Sequence, residues 1–228
     1  MLAILIIIMK FIYSFIILLI FTNFVTAQIF VENNLEDGIN YIVEYINSDD
    51  FAQLKKTEPD LTLIDSIYLR AKKFQKDDIS ETLLTLTFAT LPFQKMPLNI
   101  PYTGIIFNVK LPSGDPNLIN LKIQNLPKQL FEDSPNTNFG DKDKTAHFFG
   151  NAYFSYSVSL FNVSKFLSIF VELFEDAFKV EGGIDNRDFV ANHLGYEFGN
   201  DLLKNSDLLP SEVLKKYPLF IKYFEVKK

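Results

Sequence analysis

Two stretches, DKTAHFFGNAYFSYSVSL at residues 143–160 and DFVANHLGYEFG at residues 188–199, repeat their polar side chains every three or four positions, the spacing of one helix face. In the first, Lys144, His147 and Asn151 line up along a helix predicted from about Lys144 to Leu160, behind the turn SPNTNFGDKD, with Asp141 or Asp143 as its N-cap. In the second, Asp188, Asn192, Gly195 and Gly199 fall at i, i+4, i+7 and i+11 of a helix capped by Asp185 or Asn186 after the Gly182-Gly183 break. A middle helix is predicted from about Ser164 to Phe178. It carries Glu172, with Glu175 or Asp176 one turn later, among Phe166, Leu167, Ile169, Phe170, Leu173 and Phe174. Residues 136–228 therefore read as a three-helix module with a polar core.

Residues 28–135 carry weaker signals. Asn33 or Asn34 can cap a helix whose Ile39, Ile42, Val43 and Ile46 share a face, and Asn47-Ser48-Asp49-Asp50 ends it. A second helix is predicted from Leu63, with Ile64, Ile67, Tyr68 and Ala71 on one side. A third begins at Ile79 behind Asp78, with Glu81 completing a capping-box spacing, and stops before Pro92. This pair resembles a single tetratricopeptide unit, but one copy cannot bury the continuous core of such an array, so it reads as an ordinary helical hairpin. Prolines at 97, 101, 112, 116 and 127 break any long helix up to Pro135, leaving strands or loops. TGIIFNVKL at 103–111 is the best strand, before the turn chemistry of LPSGDPN. The expected fold class is thus mainly α, a helical bundle with the C-terminal module and one or two short edge strands in the middle.

The first 27 residues read as a secretory signal. Starting at Met9, a single lysine (Lys10), an apolar run from Phe11 to Phe21, and Val25 and Ala27 before Gln28 reproduce the n-region, h-region and cleavage site. Met1 to Ile8 then read as an upstream extension. An uncleaved anchor is the rival reading, since the apolar run approaches the length of a bilayer span. Export would place the mature chain in the periplasm or outer envelope. The chain has no cysteine, which excludes disulfides, thiolate metal sites, a cysteine nucleophile and a lipid on an N-terminal cysteine. A net charge of −6, with lysines scattered singly or in pairs such as Lys55-Lys56 and Lys72-Lys73, leaves no stripe for nucleic-acid phosphates. No Gly-rich phosphate loop occurs, so a nucleotide is not expected, and no stretch spells out another cofactor, so none is expected. The 24 Phe and 10 Tyr imply a Phe-packed core before any ligand surface.

The candidate site is the polar cluster Lys144, His147, Glu172, Glu175, Asp188 and Asn192. On a structural reading Lys144 pairs with Glu172, Asp188 favours a helix start, and Gly195 and Gly199 permit close helix packing. On a chemical reading His147, Glu172, Asp188 and His193 form one pocket. There His147, Glu172 and Asp188 could hold a divalent metal and activate water, or serve as general base and acid. No H-E-x-x-H motif or G-x-S-x-G elbow fixes a reaction class, and no catalytic residue is assigned.

DKTAHF at 143–148, Glu172, and DFVANHLGYEFG at 188–199 resemble the D-K-x-x-H, E and D-x-x-A-N-x-x-G-x-x-x-G signatures shared by VanZ-like proteins and YfiM-like predicted periplasmic proteins. The resemblance spans residues 143–199 of 228. It implies a bacterial envelope protein of undefined biochemistry; VanZ-like members are linked to glycopeptide resistance and built from membrane-spanning helices. Here Glu175 replaces the VanZ-like Gln, the Arg before the last motif is out of register, and polar residues interrupt the first two helices, so the YfiM-like pattern is nearer, without its lipid-bearing cysteine.

Three functions follow as expectations. The first is an exported non-enzymatic module that docks on membrane, lipid or a protein partner through Phe-rich faces. The second is a metal-assisted hydrolase of envelope material using His147, Glu172 and Asp188. The third is a membrane-integrated VanZ-like protein.

Overall fold

A computed structural model describes residues 35–99, 106–160 and 186–220. The chain is mainly α. Helix α1 covers residues 35–46, and its predicted face, Ile39, Ile42, Val43 and Ile46, is fully buried. The polar run after it does more than end that helix. Ser48 accepts from the Phe51 amide and caps α2, Asp49–Thr57, whose Asp49 and Asp50 sit in the first turn and Lys55 and Lys56 in the last. Both charge pairs complement the helix dipole, so a stretch read as a stop is also a start.

Helix α3, Asp60–Phe74, begins directly behind Pro59, one turn earlier than the apolar pattern from Leu63 indicates. It leads through Lys76 and Asp77, both at positive φ, into α4, Ile79–Ala89. The Asp78 carboxylate accepts from the Glu81 amide at 3.0 Å, the predicted cap, and the helix ends ahead of Pro92 as expected. Residues buried on α4 point in every direction, including Thr82, Thr85 and Thr87. Thr82 and Thr87 donate to the carbonyls of Asp78 and Leu83 one turn back, which removes the cost of burying their hydroxyls.

Strands β1, Lys95–Asn99, and β2, Ile106–Lys110, pair antiparallel from Lys95 opposite Lys110 to Asn99 opposite Ile106. They form a two-stranded ribbon, and β2 lies within the predicted strand. The prolines that follow do not exclude helix, however. Helix α5, Ile119–Asn125, fits between Pro116 and Pro127, because proline disrupts a helix only from inside it.

Helices α6, Lys142–Leu160, and α7, Asn186–Leu202, carry the two stretches with polar periodicity. Helix α6 packs on α4 and α7; α8, Pro210–Leu214, packs on α3 and α7. The middle helix expected from about Ser164 to Phe178 lies outside the described residues. One apolar core runs through the described elements, from Ile39, Ile64 and Leu86 to Phe148, Phe149, Leu194 and Phe198, and so includes residues on both sides of position 135. Phe148 stacks on Phe198 with ring centroids 5.2 Å apart, and Tyr68 meets Phe198 edge-on, tying α3, α6 and α7 together. Among the described residues no helix is long and apolar enough to cross a membrane.

Candidate functional site

The polar faces of α6 and α7 meet. In the first turns of both helices the Lys144 ammonium lies 2.9 Å from Asp143 and 2.5 Å from Asp188. One turn along, His147 Nδ1 is 2.9 Å from Asn192 Oδ1 and Nε2 is 3.5 Å from Asp188 Oδ1. Asn151 Nδ2 donates both to Asn192 Oδ1 at 2.7 Å and to the main-chain carbonyl of His147 at 2.9 Å. Further along, Gly195 lies against the carbonyl of Phe148, and Gly199 against Ser155 Oγ and the carbonyl of Ala152; a Cβ at either position would collide with them. Every residue of the α7 motif face thus lies on α6.

This geometry assigns the His147 tautomer. A carbonyl oxygen can only accept, so the Asn151 atom on it is the amide nitrogen, and the Asn192 atom it also meets is oxygen. His147 Nδ1 therefore carries a hydrogen, and in the neutral ring the lone pair sits on Nε2, on the Asp188 side. Burial holds the His147 pKa below its ordinary value; Asp188, Asp143 and Asn192 oppose that shift, while Lys144 adds to it. For Lys144 the balance is reversed. Burial works against its charge, but Asp143 and Asp188 outweigh burial and raise its pKa. Near neutrality the cluster is one ammonium between two carboxylates, with a neutral imidazole beside them.

Among the described residues the anionic partners of Lys144 are Asp143 and Asp188, while its expected partner Glu172 lies outside them. The site differs from the sequence expectation in two respects. Among the described residues the potential metal donors within 4.8 Å of one another are Asp143, His147 and Asp188, so Asp143, expected only as a cap and part of a motif, joins the set. His193 stands on another side of α7, its ring 4.8 Å from that of Phe220, and does not enter this pocket. Glu172, Glu175 and Asp176 lie outside the described residues. Chemically, the Lys144 ammonium already fills the cationic position between the two carboxylates, which makes the cluster a tie between helices. A metal could use the three donors only by displacing it.

A second feature occupies the opposite side of α7. Phe189, Val190, His193 and Glu197 face Lys216, Leu219 and Phe220 across a groove of about 570 Å³. Lys216 donates to Glu197 across it. Phe189 and Leu219 are 62% and 69% exposed, far above the usual state of such side chains. Phe189 and His193 are four residues apart and so form a second stripe on α7, away from its polar face. Comparison with protein-family models, curated proteins and solved structures finds no match to this chain.

Proposed function

We propose that this chain is an exported cell-envelope protein whose C-terminal helices form a non-enzymatic binding module, and that the groove along α7 takes the apolar chain of an envelope lipid. The observation that carries this reading is the groove itself. Its volume lies within the range of small-molecule sites, its walls are mostly Phe, Val and Leu, and its polar groups are few and localised. That composition suits a ligand with a long apolar part and a small polar end. The signal-like first 27 residues support export, and the YfiM-like pattern at 143–199 supports the envelope assignment. In this reading the Lys144 network ties α7 to α6 and keeps it in place beneath the groove. The test is fluorescence titration of the purified chain with a dansylated fatty acid. Wild type should bind saturably, and Phe189→Glu and Leu219→Glu, both at exposed positions, should abolish binding without loss of helical circular dichroism. Absence of saturable binding by wild type would sink the proposal.

A metal-assisted hydrolase is the second reading, favoured by one observation, the convergence of Asp143, His147 and Asp188. Near-stoichiometric metal in the purified chain, lost in a folded His147→Ala/Asp188→Ala double variant, would raise it above the first. For the membrane-integrated reading, resistance to carbonate extraction is the corresponding measurement.

A further inference from the structure

Lysines that are scattered in sequence gather at one place in the fold. Lys55 comes from the last turn of α2, Lys128 from the loop after α5, and Lys142 from the first turn of α6. Lys55 Nζ donates to the carbonyls of Asn125 at 2.8 Å and Gln124 at 3.3 Å, and Lys142 Nζ donates to the same Gln124 carbonyl at 3.4 Å. Two ammonium groups sharing one oxygen at those distances are less than about 7 Å apart, within mutual repulsion even in salt. Lys128 is close enough to weaken the charged form of both, while among the described residues Asp60 is the one carboxylate acting on both.

Asp60 is already engaged. Its Oδ2 accepts from the backbone amides of Lys128 at 2.7 Å and Gln129 at 2.6 Å. Lys128 is in turn pinned from the other side, since its carbonyl accepts from the Asp141 amide at 2.8 Å. This close approach needs Gly140, which adopts positive φ and where a Cβ would strike the Lys128 carbonyl. The backbone of Lys128 is therefore held by the fold beside Lys55 and Lys142. Capping the last carbonyls of α5 accounts for the hydrogen bonds from Lys55 and Lys142, and Lys128 donates to the Thr137 carbonyl at 3.2 Å. These bonds do not account for such a concentration of positive charge at one place on a protein of net charge −6.

We propose that Lys55, Lys128 and Lys142 form an anion site for a phosphate group, belonging either to free phosphate or to a phospholipid headgroup. Lysine ammonium groups suit this ligand, each offering three donors and a full charge to a tetrahedral oxyanion. The site uses none of the groove residues and stands independently of the lipid-chain proposal.

The test measures thermal unfolding of the full chain against inorganic phosphate, with potassium chloride at matched ionic strength as control. A second arm measures co-sedimentation with phosphatidylglycerol or phosphatidylcholine vesicles. Phosphate should raise the melting temperature saturably where chloride does not. The Lys55→Gln/Lys128→Gln double variant, at partly exposed positions, should weaken the apparent affinity at least about tenfold. Lys142→Gln should do the same; if burial of the new side chain unfolds that variant, the double variant carries the test. A phosphate response without vesicle binding identifies the free ion. Selective sedimentation with phosphatidylglycerol, lost in the double variant, identifies the headgroup. An equal response of wild type to phosphate and chloride, or an undiminished phosphate response in the folded double variant, overturns the proposal.

Discussion

Lys122 offers the sharpest test of how the described core works. It lies on α5, is 0% exposed, and its ammonium donates to the carbonyl of Leu91 at 2.8 Å. Burial lowers its pKa from 10.5 to about 8. In the unfolded chain the lysine regains its ordinary value, so between about pH 8 and pH 10.5 the unfolded state binds more protons than the folded one. Stability must then rise with pH across that window. Below about pH 8 both states are charged and the full cost of burying the ammonium is present; above about pH 10.5 it is gone. At about 1.4 kcal/mol per pH unit the cost is roughly 3 kcal/mol, a large part of the stability of a domain this size. The perturbation is Lys122→Met, which keeps the apolar stem and removes the titrating group. Its absolute stability also reflects the lost donor to Leu91, so the informative quantity is the difference between the two proteins as pH changes. Urea unfolding at about pH 7 and about pH 10 should show wild type gaining roughly 2 to 3 kcal/mol relative to the variant. A difference that stays flat to within about 0.5 kcal/mol would refute the argument, and with it the burial of Lys122 as a cation.

The α6–α7 crossing makes two further predictions. Gly195→Ala and Gly199→Ala each force a methyl group into backbone or side-chain atoms of α6, and each should be destabilised in urea unfolding, because overpacking costs about 1 to 3 kcal/mol and, with backbone carbonyls as the obstacle, lies toward the upper end, above the roughly 1 kcal/mol an alanine gains from helix propensity. His147, followed by NMR, should titrate below 6.5, and lower still in Asp188→Asn, because Asp188 stabilises its charged form. Since its folded pKa is depressed, the folded state takes up its proton later than the unfolded chain does. Stability should therefore fall as pH drops from about 6.5 through the folded value, and a His147 variant should lack that component.

Much of the helical plan was legible because its determinants are local. The buried face of α1, the Asp78 cap and proline-limited end of α4, and the polar faces of α6 and α7 are all written within four or five residues of one another. Elsewhere the local signal is ambiguous. Ser48 ends one helix and begins another, and α5 fits between two prolines that seemed to forbid it. The mainly α class, a face of Lys144, His147 and Asn151 and a face of Asp188, Asn192, Gly195 and Gly199 could be derived from periodicity alone. Which charge answers which could not. That Lys144 meets Asp143 and Asp188, that His193 turns away to Phe220, that Lys122 is buried, and that Lys55, Lys128 and Lys142 converge all depend on how helices dock. Helical spacing determines which side chains share a face, but docking determines what that face meets, and both electrostatic partners and desolvation are properties of the meeting.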